Sequence, residues 1–327
     1  MELEVAVERH ELAAEFRISR SSRTATDVVV VTLHQDGLIG RGECAPNRRY
    51  DETPETTLAE LKACQMDGLT ANSAGRARLQ GCLHAGSARN GLDCALWDLE
   101  AKLTGVPAAT RAAVQVPATF RTALTLSIDT PDRMADAADK LGPGQLIKVK
   151  LDSELVVERV RAIADAVLGA RMIVDANEAW SVDLLWAVHG RLADLGVVAI
   201  EQPLPAGADD GLRGLGSRVP IIADEACHVG ADVASLADRY HGVNVKLDKS
   251  GGLTEALAVA KAARDHGLTL MVGCMLGTSL AMAPASLLAA HAALVDLDAP
   301  FLLKTDRAPS MAVSPGVLAA PLPELWG

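Results

Sequence analysis

The sequence predicts an α/β protein, a parallel (β/α)8-type barrel preceded by an α+β block. Three observations carry this. From about residue 120, eight short apolar runs alternate with amphipathic helical stretches. The polar C-terminal ends of those runs recur at a nearly constant spacing. No Gly-rich dinucleotide fingerprint follows any run, which weighs against the alternative, an open doubly wound sheet.

The N-terminal block comes first. Residues 2–9 and 27–34 read as strands. The second, DVVVVTLH, meets Gln35-Asp36-Gly37 and then LIGRGEC, the pattern of a hairpin. Residues 55–66 and 87–104 read as helices. In the latter Leu92, Ala95, Leu96 and Leu99 share one face, and Gly105-Val106-Pro107 ends the helix. These elements make up residues 1–115.

The barrel is assigned to residues 116–305. Its strand runs are RTALTLSI (121–128), LIKVKL (146–151), RMIVDA (171–176), VVAIEQP (197–203), PIIADE (220–225), GVNVKL (242–247), LTLMVGC (268–274) and ALVDLD (293–298). From Lys150 to Asp175 is 25 residues, then 26 to Glu201, 23 to Asp224 and 22 to Lys246, with Asp296 a further 50 on. A step of that size holds one strand, one helix and two short loops. Residues 306–327, rich in Pro and Ala, are expected to return to the N-terminal block.

The bulk properties narrow the function. With 49% apolar residues in 327, the core can be large, and 3% aromatics leave it to Ala, Leu, Val and Ile. A net charge of −11 disfavours phosphate backbones and anionic lipid, so neither nucleic acid nor a membrane is an expected partner. Solubility alone also accounts for that charge. The six cysteines include no C-x-x-C pair and read as reduced thiols. The N-terminus carries acid where a signal peptide needs base, and no run of about 18 apolar residues exists. The expected location is the cytoplasm.

Parallel barrels place chemistry at the C-terminal ends of their strands. Here those ends are charged. Lys148 and Lys150 end the second run, Asp175 and Asn177 the third, Glu201 the fourth, Asp224 and Glu225 the fifth, Lys246 and Asp248 the sixth, and Asp296 and Asp298 the eighth. Asp175, Glu201 and Asp224 come from three consecutive strands about 4.8 Å apart, so they can converge. Three carboxylates that close require a cation, and oxygen ligands with room for water and substrate suit Mg2+, one per site. Any one of these acids taken alone reads as a helix cap.

Lys148 and Lys150, two apart on one strand, point to the same face, and Lys246 stands four strands away on the opposite wall. Like charge and desolvation are expected to lower a lysine pKa there, giving a general base near neutral pH. Amines on both faces of one carbon are what inversion by proton transfer requires. Ordinary salt bridges to the neighbouring acids are the competing explanation for these lysines.

The order K-x-K, D-x-N, E-Q-P, D-E and K-L-D-K-S-G-G resembles the muconate-lactonizing-enzyme-like subgroup of the enolase superfamily. The segments RNGLDCALWDLEAK, IKVKLD, IVDANEAW, EQPLPA, ADEACH, VNVKLDKSGGLTEALA and MVGCMLGTS are similar to its dipeptide epimerases, those acting on L-Ala-D/L-Glu in particular. The likeness spans essentially the whole chain. It implies a modified (β/α)7β barrel with an N-terminal capping domain, and Mg2+ chemistry that stabilises an enolate, as is general in that superfamily.

Carried across by motif, Lys150 and Lys246 are the two acid/bases, and Lys148 supports the substrate carboxylate. Asp175, Glu201 and Asp224 hold the metal, and Asp296 and Asp298 receive the free ammonium of a dipeptide. A capping-domain loop at 16–27 is expected to cover the barrel mouth, with a second candidate lid at 47–53. Arg23 corresponds to the arginine for a glutamate side chain, with Arg20 as the other candidate. Asp248 and Lys249 compete for a role near Lys246, Glu225 for one near Asp224, and His228 is read as structural. Implied is epimerisation of L-Ala-L-Glu and L-Ala-D-Glu, with a link to murein peptides. N-acylamino acid racemase, o-succinylbenzoate synthase or cycloisomerase chemistry on the same fold, and a non-catalytic peptide-binding barrel, are the alternatives. Members of the subgroup are often oligomeric, and no diagnostic interface stands out here.

Overall fold

The computed structural model describes residues 1–66 and 68–327. Strands β1 (Glu2–Ile18), β2 (Ser21–Gln35) and β3 (Leu38–Cys44) form an antiparallel meander in that order. The turn between the last two uses Asp36 and Gly37, both at positive φ (53° and 78°), a conformation whose twist suits a tight hairpin. Helices α1 (Pro54–Ala63), α2 (Ser73–Cys82), α3 (Ser87–Thr104) and α4 (Ala108–Arg111) follow. A Cβ at Gly42 would run into the Gly91 carbonyl, so glycine is what allows β3 to lie this close to α3.

Departures from the sequence-based expectation appear here, the single-turn α4 among them. Residues 16–27 are not a loop: Phe16 pairs with Arg23 and Ile18 with Ser21, so the segment is the tip of the β1–β2 hairpin. Helix α2 has no counterpart among the expected elements. Its sequence, SAGRARLQGC, offers a single large apolar residue, Leu79, and two glycines, so no stripe is visible.

After β4 (Thr119–Arg121) come the eight parallel strands: β5 (Leu124–Leu126), β6 (Leu146–Lys150), β7 (Arg171–Asp175), β8 (Val197–Glu201), β9 (Ile221–Ala223), β10 (Gly242–Val245), β11 (Thr269–Gly273) and β12 (Leu294–Asp296). They are neighbours in chain order, and the Ala123 amide donates to the Val295 carbonyl at 2.8 Å where first and last strands meet. Helices α5 (Pro131–Leu141), α6 (Val156–Ala166), α7 (Val182–Asp194), α8 (Gly230–Leu236), the short α9 (Leu247–Ser250), α10 (Leu253–Asp265) and α11 (Ser279–Ala289) surround the ring. Between β8 and β9 a 3₁₀ turn at Asp210–Leu212 stands in for the helix. Only a single helical turn, α12 (Ala299–Leu302), follows the last strand.

The floor of the barrel is a small apolar plug of Ala123, Ile173, Ala199, Ile222, Met271 and Leu294. Because strand side chains alternate, the polar residues above that plug are aimed inward at the mouth. No described helix is long and apolar enough to cross a membrane.

The capping domain is bolted to the strand that bears Lys246. Arg89 of α3 donates to the Ser250 and Gly251 carbonyls, at 2.6 and 3.1 Å. Asn90 donates to Asp248 (2.8 Å), and Asp93 accepts from the Thr254 amide (2.9 Å) at the start of α10. The C-terminal hairpin, β13 (Val313–Ser314) with β14 (Val317–Ala319), pairs with β4. Beyond it the buried Trp326 donates its indole N–H to the Cys94 carbonyl of α3 at 3.0 Å.

Candidate active site

Lys148, Lys150, Asp175, Glu201, Asp224, Lys246, Asp296 and Asp298 are all buried at the strand C-terminal ends. Each follows an apolar, β-branched-rich strand whose register delivers it there. A cleft above them is walled by Ile18, Arg23 and Tyr50 of the capping domain and by Met275, Leu276 and Leu302 of the barrel.

The charges interlock. Lys148 Nζ lies 2.6 Å from Asp296 Oδ2, 2.7 Å from Glu201 Oε2 and 3.2 Å from Asp175 Oδ2. Lys150 Nζ is 2.6 Å from Asp175 Oδ2, and Lys246 Nζ is 2.6 Å from Asp224 Oδ2. Single ammonium groups thus bridge carboxylates of neighbouring strands, which brings the three acids expected from sequence to one centre. Among the described residues these acids do not stand as a ready-made ligand cluster, because the ammoniums lie between them.

The expectation of a lowered lysine pKa is corrected. Burial does push the Lys148 and Lys246 ammoniums down, but the carboxylates of Asp296, Glu201, Asp224 and Asp175 outweigh it and hold both above the usual lysine range. The salt bridges to neighbouring acids, the competing explanation for these lysines, outweigh like charge and desolvation here. The same centre splits the acids. Burial and the neighbouring Asp175 charge push Glu201 up to about 7, whereas at Asp224 the Lys246 and Lys249 charges overcome burial and hold it well below the carboxylate range.

Asp296 and Asp298 both face the cleft but differ. Asp298 Oδ2 accepts from the Thr125 amide at 2.6 Å, and burial with the Asp296 charge beside it raises its pKa to about 7. Asp296 gives Oδ2 to Lys148, and its buried Oδ1 has no hydrogen-bond partner among the described residues.

The two candidate arginines separate cleanly. Arg20, at the hairpin tip, is engaged with Glu225 (2.7 Å), Glu178 (2.6 Å) and the Asn177 carbonyl (2.8 Å). Arg49 of the 47–53 segment grips the same Glu178 at 2.7 and 2.8 Å. Glu178 is held up to them by two successive left-handed residues, Asn177 and Glu178, at φ 45° and 69°. Arg23 lines the cleft, and no carboxylate pairs with it among the described residues.

Of the competing residues, Asp248 accepts from the Ala45 amide (2.9 Å) and Asn90, so it joins capping domain to barrel. Lys249 is buried beneath Asp224, 2.7 Å from Oδ1, with its protons directed to the Cys227 (2.8 Å), Asn244 (3.0 Å) and Asp224 carbonyls. His228 packs edge-on against Tyr50 at 4.9 Å and contacts the Glu225 carbonyl.

Sequence reasoning missed Asn244, whose amide donates to Glu201 Oε1 at 2.8 Å. It lies two residues before Lys246, so strand parity alone could have found it. It also missed Gln202, whose Oε1 accepts from the Asp224 and Ala226 amides at 2.8 and 3.1 Å and shapes the turn that carries Asp224.

Comparison with known proteins agrees with this architecture. Residues 1–110 match the mandelate racemase/muconate lactonizing enzyme N-terminal domain, and residues 130–313 the enolase C-terminal domain-like family. The chain is 46% identical to an L-Ala-D/L-Glu epimerase of Escherichia coli (strain K12), over 94% of this chain and 96% of that one. It is 43% identical to an N-acetyl-D-glutamate racemase of Pseudoalteromonas sp, over 92% and 95%. A crystal structure of an enolase family member from Agrobacterium tumefaciens with homology to dipeptide epimerases, bound to sodium and L-Ala-L-Glu with an ordered loop, superposes with a TM-score of 0.95 at 44% identity, covering 99% of each chain. Other solved dipeptide epimerases of this fold are complexed with Mg and a dipeptide.

Proposed function

The chain belongs to the mandelate racemase/muconate lactonizing enzyme family of the enolase superfamily, an isomerase by its relatives, and on that premise we propose that it is a Mg2+-dependent dipeptide epimerase preferring L-Ala-L-Glu and L-Ala-D-Glu. One observation carries the reading: amines on opposite walls of the barrel, Lys150 and Lys246, flank a single buried carboxylate centre under one cleft.

The donor set fits a hard divalent ion. Asp175, Glu201 and Asp224 offer only oxygen, and the buried Glu201 Oε2 lacks a directed hydrogen bond although an ammonium stands 2.7 Å away. A bound Mg2+ supplies positive charge that offsets these acids and steadies the charge developing on the substrate carboxylate. With the acids offset, burial and the neighbouring Lys148 charge are the influences left on Lys246, and both favour the neutral amine a base needs. One lysine takes the α-proton of the C-terminal residue as a neutral amine. The other, as an ammonium, returns a proton to the opposite face, and the next turnover runs in reverse. Lys148 faces the substrate carboxylate.

Asp296, through its unpartnered Oδ1, and Asp298 receive the free ammonium, and Arg23 receives the glutamate side chain. L-Ala-Glu is a unit of peptidoglycan peptides, so the substrate is placed downstream of reactions that release murein dipeptides.

The test is incubation of the protein with L-Ala-L-Glu and Mg2+ in D2O, followed by NMR of the glutamate α-proton. Exchange with the D-epimer appearing supports the reading. Absence of exchange with any Ala-X dipeptide sinks it.

A second reading, racemisation of an N-acylated glutamate, is favoured by the 43% identical N-acetyl-D-glutamate racemase. Such a substrate has no ammonium, and the free acceptor on Asp296 would then face an amide. Turnover of N-acetylglutamate in place of the dipeptide would establish it.

A further inference from the structure

Each of the three central carboxylates uses its two oxygens differently. Asp175 Oδ1 accepts from the Asn177 amide at 2.9 Å, Glu201 Oε1 from the Asn244 side chain at 2.8 Å, and Asp224 Oδ1 lies against Lys249 at 2.7 Å. The other oxygens, Asp175 Oδ2, Glu201 Oε2 and Asp224 Oδ2, have only the ammoniums of Lys148, Lys150 and Lys246 beside them. A directed hydrogen bond therefore holds one oxygen of Asp175 and one of Glu201, Asp224 Oδ1 has only the Lys249 charge beside it, and one oxygen of each acid is turned to the centre.

Asn244 is the partner whose role is purely directional. It is fully buried on β10, carries no charge, and its own Oδ1 has no hydrogen-bond partner among the described residues, so its one directed bond is the donation to Glu201. Space is kept for it. A Cβ on Gly273 of β11 would come within 2.7 Å of Asn244 Oδ1, 2.8 Å of Nδ2 and 3.1 Å of Lys246 Cε. Gly273 has ordinary extended backbone, so it is this crowding and not its φ that calls for glycine.

We propose that Asn244 is a positioning residue for the divalent cation, fixing Glu201 as a one-oxygen ligand through Oε2 in a pocket that Gly273 keeps open. The inference rests on the reading of Asp175, Glu201 and Asp224 as the cation site. Without the amide, the Glu201 carboxylate can rotate or turn both oxygens to the ion, and the ordered arrangement of three single oxygens is lost. Outer partners of metal ligands typically contribute about 10- to 100-fold in affinity.

The experiment is calorimetric titration of MgCl2 into the full-length chain, freed of metal with EDTA and dialysed, for wild type, Asn244→Leu and Gly273→Ala. Leucine keeps the branched shape of asparagine at a larger volume, brings no polar atom of its own, and takes the donor away from Glu201 Oε1. Asn244→Leu should weaken Mg2+ binding by about 10- to 100-fold, with kcat recovering at saturating Mg2+, a split that a role confined to folding would not produce. Gly273→Ala, which displaces the same amide and Lys246 together, should weaken Mg2+ and lower kcat even at saturation. It carries the test if Asn244→Leu does not fold. A folded Asn244→Leu or Gly273→Ala protein with wild-type Mg2+ affinity overturns the inference while leaving the cation site standing. A wild-type protein that binds no Mg2+ overturns the cation site and this inference with it.

Discussion

Lys150 and Lys246 stand on β6 and at the end of β10, four places apart in a ring of eight parallel strands, and so face each other across its mouth. Each ammonium rests 2.6 Å from a different carboxylate of the same centre, Asp175 for one and Asp224 for the other. That opposition separates an epimerase from a barrel that merely binds.

Removing either amine should stop inversion. Lys150→Ala and Lys246→Ala are each expected to lower epimerisation by at least about 100-fold, the low end for general acid–base groups. In D2O each variant should still exchange the α-proton of one epimer, because the remaining lysine serves one face. Near wild-type epimerisation by either variant would refute the assignment.

The arginines should behave differently. Arg23→Ala is expected to raise KM for L-Ala-L-Glu by roughly 10- to 100-fold, corresponding to about 1.5–3 kcal/mol for hydrogen bonds to a charged group. An apolar dipeptide should be little affected. Arg20→Ala breaks the clasp on Glu178 and Glu225 and should disturb kcat and KM for every dipeptide alike. Steady-state kinetics on the two substrates check both.

Asp296→Asn tests which substrate class the site is built for. Loss of its charge should weaken L-Ala-L-Glu by about 10-fold and leave N-acetylglutamate no worse. The opposite ranking would favour the N-acyl reading.

Chelation and Mg2+ should be visible without substrate. At a hundred times its Kd, Mg2+ is expected to stabilise the fold by about 2.7 kcal/mol over the EDTA-treated protein. Thermal unfolding with and without the ion measures it, and identical curves would count against a cation in this centre.

Asp248 supplies a pH signature away from the reacting carbon. Burial outweighs its bonds from Ala45 and Asn90 and raises its carboxyl from 3.8 to about 7. The folded protein then keeps a proton that the unfolded chain has released. Stability from this group is therefore complete below about pH 4 and is lost as pH rises to about 7, at a slope of about 1.4 kcal/mol for each step of one in pH. Asp248→Asn, which keeps the acceptor for Ala45, should flatten that slope in denaturant titrations at about pH 4 and about pH 7.5, which bracket the loss. An unchanged slope would show that Asp248 is not its source.

Much of this site was legible in the chain because barrel strands turn chemistry into spacing. An apolar run ending in a charged residue, repeated every 22 to 26 residues from Lys150 to Lys246, determines which side chains reach the mouth and on which strand. The lysine pair on opposite walls and the three acids on consecutive strands follow from strand order and the two-residue alternation of side chains. What those groups do to one another was left to the tertiary structure. Arg20 is 205 positions from Glu225, and no local pattern says that it, and not Arg23, closes on the barrel. The direction of the lysine pKa shifts, the single outward-held oxygen of Glu201 and the room left by Gly273 all depend on distances of 2.6 to 3.1 Å between separate strands. Periodicity places a side chain on a face, but contact energies at that range change within fractions of an ångström, and only the packed fold sets them.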